Sequence, residues 1–336
     1  MSENIFIDGS YNIREIEVDS SWEKDLKTPE YIEYRRKWDL ASNNHHLFEF
    51  PLFIEIESSY TCNYLCPQCP RQALNHGKVG GIMSDELFNI LLDEARKYNL
   101  PSMSYGHGCE PLMRKDIGEL IRKSREAGII YRKFSTNGYL LTRKLSKELI
   151  ESGLTVINFS LDAASESTYS KLRIGGDFNK VVDNINVFLD EKKKSGKSYP
   201  RVRVSFIVSE ENKNEQQVFY DMWRKKVNVI SFQKCYDFNF SLTKNNRENK
   251  YNQKRDHYCC SQLWQLLCIT VDGDIIICNH DYNHRHVLGN LKTHSIYECW
   301  HSDTMNRFRE FHLNNKWNKL PLCEGCVSSI KDILVV

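Results

Sequence analysis

The chain has 336 residues, enough for one barrel or two average domains with a sizeable core. Its 46 Lys and Arg stand against 44 Asp and Glu, a net charge of +2, so no charge excess points to nucleic acid or to an anionic membrane. A composition of 40% hydrophobic and 27% charged residues excludes a disordered chain, and no run approaches the ~18 apolar residues of a membrane span. The opening MSENIFIDGS lacks the basic-then-apolar layout of a secretory signal, so a cytoplasmic setting is expected. Twelve cysteines in a reducing compartment are better explained as metal ligands or reactive thiols than as disulfides.

Residues 1–50 mix charges with aromatics without a clean period and are expected to form an N-terminal arm with some helix. From Pro51 a rhythm sets in, a short apolar run followed by a stretch with helical spacing. Strands are predicted at Phe53 to Glu57, Ser102 to Gly106, Tyr131 to Ser135, Val156 to Leu161, Val202 to Val208 and Val229 to Gln233. Ser84 can cap a helix carrying Leu87, Leu91 and Ala95. Helices at Lys115 to Ala127 and Thr142 to Ser152 stop at Gly128 and Gly153, and a longer one starts at Asn179. Six such units over residues 51–235 imply an α/β fold with a parallel sheet and outer helices, either a partial barrel or a doubly wound sheet. Lys244 to His257 is polar and aperiodic, so residues 236–258 are expected to be a linker. Residues 259–336 form a different piece. Two strand-like runs, LLCITV and DIIIC, flank an Asp272-Gly273 turn, a helix is expected around Ile296 to Phe311, and a Cys-x2-Cys follows.

Cys62, Cys66 and Cys69 form C-x3-C-x2-C just after the first predicted strand. Three thiolates on one short loop can hold three irons of a cubane cluster and leave the fourth open to a substrate. A structural zinc site more often uses paired C-x2-C units with four ligands. With this motif the chain resembles the radical S-adenosylmethionine (SAM) superfamily, whose signature follows the first strand of a partial (β/α)6 barrel of the TIM type. The resemblance implies a 4Fe-4S cluster that binds SAM, cleavage of SAM to a 5'-deoxyadenosyl radical, and hydrogen abstraction from a substrate. Gly108-Cys109-Glu110-Pro111 is similar to the family segment that contacts the methionyl amino group, with Glu110 as the acid. Tyr64, Gly108, Ser135, Asn137, Ser160, Asp162 and Arg173 are the further cofactor-binding residues it implies. For each of the polar ones a turn, cap or salt-bridge role is the competing explanation.

Cys260, Cys278, Cys323 and Cys326 lie in separate elements of the C-terminal piece and can close one site. Together with Trp264, Asp272-Gly273, Leu288-Gly289-Asn290 and Trp300, they resemble the small α+β "twitch" form of the SPASM extension found in aminocyclitol dehydrogenases. That resemblance implies one auxiliary 4Fe-4S cluster, and a zinc knuckle from the same cysteines stays open. The auxiliary cluster suggests an oxidation of a small polar, carbohydrate- or aminocyclitol-like substrate, with the electron passed to that cluster and a flavodoxin or ferredoxin as donor. The alternatives are a peptide maturase, or an epimerase in which Cys235, just past the sixth predicted strand, donates hydrogen as the catalytic thiol. A non-catalytic zinc or iron-sulfur interaction protein is a more distant alternative. No nucleic acid or membrane partner is expected.

Overall fold

The structure, a computed structural model, describes residues 13–73, 81–234, 257–324 and 326. Strand β1 (Ile13–Glu17) precedes helices α1 (Glu23–Leu26) and α2 (Pro29–Asn44). There follow β2 (Phe53–Ile56), α3 (Asp85–Lys97), β3 (Ser102–Ser104), α4 (Ile117–Glu126), β4 (Tyr131–Thr136) and α5 (Arg143–Ser152). Next come β5 (Val156–Ser160), α6 (Glu166–Leu172), α7 (Phe178–Ser195), β6 (Arg201–Val208), α8 (Gln216–Trp223) and β7 (Val229–Lys234). The chain continues with β8 (Leu266–Ile269), β9 (Asp274–Ile276), β10 (Val287–Asn290), α9 (Ile296–Trp300), α10 (Asp303–Leu313) and α11 (Pro321–Glu324).

All ten strands join one sheet in the order β1-β7-β6-β5-β4-β3-β2-β8-β9-β10. Strands β2 to β7 are parallel neighbours, which is the partial barrel expected from the sequence. The barrel stays open, because β7 pairs on its outer edge with antiparallel β1 and β2 pairs with parallel β8. Helices begin where short polar side chains satisfy free amides: Ser84, Thr142 and Asp177 accept from Leu87, Leu145 and Lys180. Gly153 and Gly196 take the left-handed conformation that ends α5 and α7.

Parallel strands covered on both faces usually read as continuous apolar runs. Here they alternate. In β6, Val202, Val204, Phe206 and Val208 are buried. Arg201, Arg203 and Ser205 between them line a cavity in the barrel. β4 and β5 repeat this, with Phe134, Ile157 and Phe159 buried and Lys133, Ser135, Asn158 and Ser160 on the cavity side. The apolar faces meet the helices, as where the Phe219 ring packs edge-on against Phe206 and Phe232, with the ring centroids of the three 4.8 to 5.9 Å apart. Phe219→Ala removes a fully buried ring from this triad and is expected to destabilise the fold by about 3–5 kcal/mol. Urea unfolding of the two proteins checks it, and a loss under about 1 kcal/mol would mean the site collapses.

Three sequence expectations need correction. The N-terminal segment is more than an arm: β1 extends the sheet, and the 16-residue helix α2 packs Tyr34 and Ala41 into the core. Its aromatic-rich sequence has a weak helical period because it meets several surfaces at once. Tyr31 and Tyr34 touch Tyr131, and Trp38 touches Phe53. The C-terminal strands are continuous with the barrel sheet, since β8 bonds directly to β2. The helix expected around Ile296 to Phe311 is two, divided where Ser302 caps α10 through the Met305 amide. Cys235 and nearly all of the expected linker lie outside the described residues. Among the described residues, no helix is long and apolar enough to cross a membrane.

Candidate metal centres and cofactor site

The C-x3-C-x2-C segment follows β2 at the C-terminal end of the barrel strands and lines a cavity together with Ser135 and Ser160. Its course depends on close approach to the segment after α6. Leu65 N donates to Ile174 O at 2.9 Å, and a Cβ at Gly176 would meet Tyr64 Oη at 2.4 Å. Tyr64 is therefore seated beneath the loop, its hydroxyl 3.1 Å from that of Tyr169, with its ring 2% exposed. The thiols of Cys62, Cys66 and Cys69 all line one cavity of about 360 Å3. Burial pushes the Cys62 thiol up to about 11 and also raises that of Cys66, so loading a metal here must release protons.

Opposite the thiols stands Glu110, 3% exposed. Its carboxylate accepts from Thr136 Oγ1 at 2.6 Å, Asn137 N at 2.7 Å and Leu112 N at 3.0 Å. Burial raises its pKa, and those hydrogen bonds pull it back. The turn that presents it needs two glycines. A Cβ at Gly106 would meet Pro111 Cγ at 2.6 Å, and Gly108 has φ +62 with only Glu57 Oε1, at 3.9 Å, near its missing side chain. Asn137 is tied to the cysteine loop through Asn63 at 2.9 Å, and Asn158 Nδ2 donates to Ser135 Oγ at 3.1 Å.

Arg173 lies at the edge of the same cavity, with Nη1 3.8 Å from Cys66 Sγ and Nη2 2.5 Å from Asp162 Oδ2. Desolvation works against its charge, but Asp162 and Cys66 hold its pKa above the usual arginine value. Asp162 itself is buried behind the wall. It takes φ +61, accepts from Ile207 N at 2.8 Å and Gln68 Nε2 at 3.2 Å, and so positions Arg173. The structure thus brings Cys62, Cys66, Cys69, Tyr64, Gly108, Glu110, Ser135, Asn137, Ser160 and Arg173 to one cavity, and leaves Asp162 behind it. Sequence reasoning missed Arg71, which donates to Tyr60 O and Gly108 O and ties the cysteine loop to the Glu110 turn. It also missed Thr136. Neither carries a local signal.

The second thiol group is carried by the residues before β8, those after β9, and α11 with Cys326 behind it. Burial raises the thiols of Cys260, Cys278 and Cys323, and each is raised further by Cys326, so the four cysteines lie near one another. Its surroundings contain a histidine the sequence did not announce. His312 Nδ1 accepts from Cys260 N at 3.1 Å, and Nε2 lies 3.4 Å from Cys323 Sγ. Burial depresses its pKa to about 4, so it is neutral; the bond at Nδ1 assigns the proton to Nε2, facing the sulfur. His280 approaches from the other side, with its amide 3.3 Å from Cys278 Sγ and Nδ1 3.6 Å from Cys326 Sγ. Cys268 instead sits buried in β8, its thiol within 4.8 Å of ligand atoms of Glu55 and His107. Between the two thiol groups runs an aromatic column. Tyr282 stacks on His280 at 6.3 Å and on His107 at 5.7 Å, and it lines the first cavity.

Whether these residues suit metal clusters and an amino-acid-like cofactor is decided by what the cavity leaves unmatched. Gln68 Oε1 and Arg173 Nε are buried without a hydrogen-bond partner among the described residues. The open cradle at Gly108 and the three cysteines lining the same cavity add to this, and the residues fit such groups.

The family model described as Radical SAM superfamily matches residues 56–218, and that described as Iron-sulfur cluster-binding domain (SPASM) matches residues 259–327. Such a pair implies a SAM-binding 4Fe-4S cluster and an auxiliary cluster. Among curated proteins, the "Probable GTP 3',8-cyclase" of Saccharolobus solfataricus is 28% identical over 171 residues, 50% of this chain and 52% of the relative. That of Methanocaldococcus jannaschii is 29% identical over 137 residues, 41% and 45% of the two chains. The chain therefore spans about half the length of the curated relatives it matches. Among solved structures, BtrN in complex with AdoMet and 2-DOIA aligns with TM-score 0.57 at 19% identity, covering 86% of this chain and 98% of that one. anSMEcpe with bound AdoMet aligns at 0.62 and 19% over 84% and 92%. Streptococcus suis SuiB bound to precursor peptide SuiA aligns at 0.58 and 18% over 84% and 72%. At these identities the likeness shows the fold.

Proposed function

The chain belongs to the radical SAM superfamily and carries a C-terminal SPASM domain, and from that premise we propose that it is an oxidoreductase acting on a small polar, carbohydrate- or aminocyclitol-like substrate. The observation that carries the reading is one cavity holding three cysteine thiols opposite a buried, hydrogen-bonded carboxylate, with a separate four-cysteine group beyond Tyr282. When bound, SAM and the two clusters supply a radical that takes a hydrogen atom from the substrate and a sink for the electron then released.

In this reading Cys62, Cys66 and Cys69 hold the first cluster, and Cys260, Cys278, Cys323 and Cys326 the second. Glu110 receives the cofactor ammonium. The three donors on its carboxylate favour the charged form against burial, so the acid is kept ready for a cation. Arg173, fixed by Asp162, faces the cofactor carboxylate. Ser135, Asn137 and Ser160 offer neutral hydrogen bonds at the strand ends, and Tyr64 supports the cysteine loop from below. His312 donates toward Cys323 and favours its thiolate. The site works in the cytoplasm, where thiols stay reduced, and takes electrons from a flavodoxin or ferredoxin.

The test is anaerobic. Reconstituted protein given SAM and dithionite should release 5'-deoxyadenosine, and its absence would sink the radical reading. Glu110→Gln keeps the shape and removes the charge. It should weaken SAM binding about tenfold to a hundredfold at unchanged iron content, as measured by anaerobic equilibrium dialysis. An unaltered dissociation constant would take Glu110 out of the cofactor site.

A further inference from the structure

A second cavity, of about 370 Å3, occupies the barrel lumen and shares Gly106, Ser135, Ser160 and Ile207 with the cysteine-lined one. The two therefore adjoin each other. Its described wall carries three cations, Lys133, Arg201 and Arg203, against one carboxylate, Glu55. The cations come from β4 and β6, the strands on either side of β5: Lys133 and Arg201 share a row through Val156, and Arg203, across from Asn158, lies in the next row on that face. Like charges gathered in a partly dry cavity repel and lose hydration, so the arrangement is costly unless something negative enters.

Their existing partners meet the demand only in part. Arg203 Nη1 lies 2.5 Å from Glu15 Oε1 and its Nη2 donates to Ser231 Oγ at 2.8 Å. Arg201 Nη2 is 3.6 Å from Glu17 Oε1, and its guanidinium packs 4.5 Å from the Trp22 ring centroid. Both glutamates stand on the edge strand β1, with side chains 41% and 40% exposed, where water weakens their pull. The Nε atoms of both arginines are buried with no hydrogen-bond partner among the described residues. Lys133 Nζ lies over the Phe53 ring at 4.6 Å, and burial lowers its pKa against the opposing effect of Glu55. The rest of the wall is neutral and hydrogen-bonding, with Asn158 Oδ1 also buried and unmatched among the described residues.

We propose that Lys133, Arg201 and Arg203 bind an oxyanion of the substrate, so that the molecule oxidised here is a small polyol bearing a phosphate or a carboxylate. A neutral sugar would leave the cations to Glu55 and the half-exposed Glu15 and Glu17 alone, and a cationic aminocyclitol would be repelled. The assignment rests on the reading of the barrel as a radical SAM site, and it narrows the substrate class within that reading.

The experiment is anaerobic calorimetry on the reconstituted, SAM-loaded protein with matched probes: ribose against ribose 5-phosphate, glucose against glucuronate, and 2-deoxystreptamine as the cation. At least one anionic probe should bind about tenfold or more tighter than its neutral partner, and the cation should not bind. The two pairs tell phosphate from carboxylate. Arg203→Gln and, as an independent variant, Lys133→Gln should each cut the anion's affinity about tenfold with native circular dichroism. No preference for the anion in either pair, or a preference unchanged in whichever variants fold, overturns the proposal. Substrate-free 5'-deoxyadenosine release by the wild type separates the two failures. If it is absent, the radical reading falls; if it is present without an anion preference, only the oxyanion assignment does.

Discussion

Replacing Cys62, Cys66 and Cys69 together by alanine should lower reconstituted iron from about eight to about four per chain and bring 5'-deoxyadenosine release down to the uncatalysed background. The size of the effect follows from the geometry. In the proposed site Cys62, Cys66 and Cys69 supply the sulfur ligands on the first cavity, and burial leaves little water to replace a missing thiolate. Cys109 lines the cavity too, but it stands outside the C-x3-C-x2-C loop, on the turn that presents Glu110. The fold should survive, because the loop is held by Leu65, Arg71 and Tyr64, which the variant keeps. Iron and acid-labile sulfide analysis with chromatography of the nucleoside product decides it. Retained cleavage in the triple variant would remove this cysteine loop from the chemistry.

The second large effect concerns the C-terminal cysteines. Cys260→Ala/Cys278→Ala should also leave about four irons, yet cleavage of SAM should persist, because the first cavity lies on the other side of Tyr282. What should disappear is the oxidised product. A substrate that has lost a hydrogen atom must still lose an electron and a proton to become a ketone, and the variant lacks the acceptor. The ratio of ketone to 5'-deoxyadenosine is then expected to fall from about one to below about a tenth. Mass spectrometry of the product reads both arms. An unchanged ratio would assign the electron to another acceptor. A product of unchanged mass made by both proteins would favour a redox-neutral reaction, such as epimerisation. Zinc in place of the second set of irons would make the site structural.

Much of the architecture was legible along the chain because it depends on neighbours in sequence. The βα rhythm, the capping serine and threonine before α3 and α5, the glycine after α5 and the spacing of Cys62, Cys66 and Cys69 are all local. The alternation in Tyr131–Thr136, with Lys133 and Ser135 interleaved with buried Arg132, Phe134 and Thr136, was written there too, though a parallel strand is expected to be apolar throughout. The segment before residue 50 was misjudged for a different reason. Strand β1 gains its hydrogen bonds from β7, more than 200 residues later, and a five-residue strand has no periodic signature strong enough to announce a distant partner.

Local sequence carries the kind of protein this is: which thiols are spaced for a cluster, where strands and helices alternate, and which acid follows the second barrel strand. How those pieces act on one another depends on long-range packing. It set Asp162 behind Arg173 instead of in the wall, since a left-handed turn directs its carboxylate at a backbone amide of β6. It brought His312 to Cys323 through the Cys260 amide, and it joined β8 to β2 so that barrel and tail share one sheet. It also collected three cations from β4 and β6 around one lumen. Such arrangements arise from contacts between residues far apart in the chain, whose energies depend on distance and burial that no local pattern encodes.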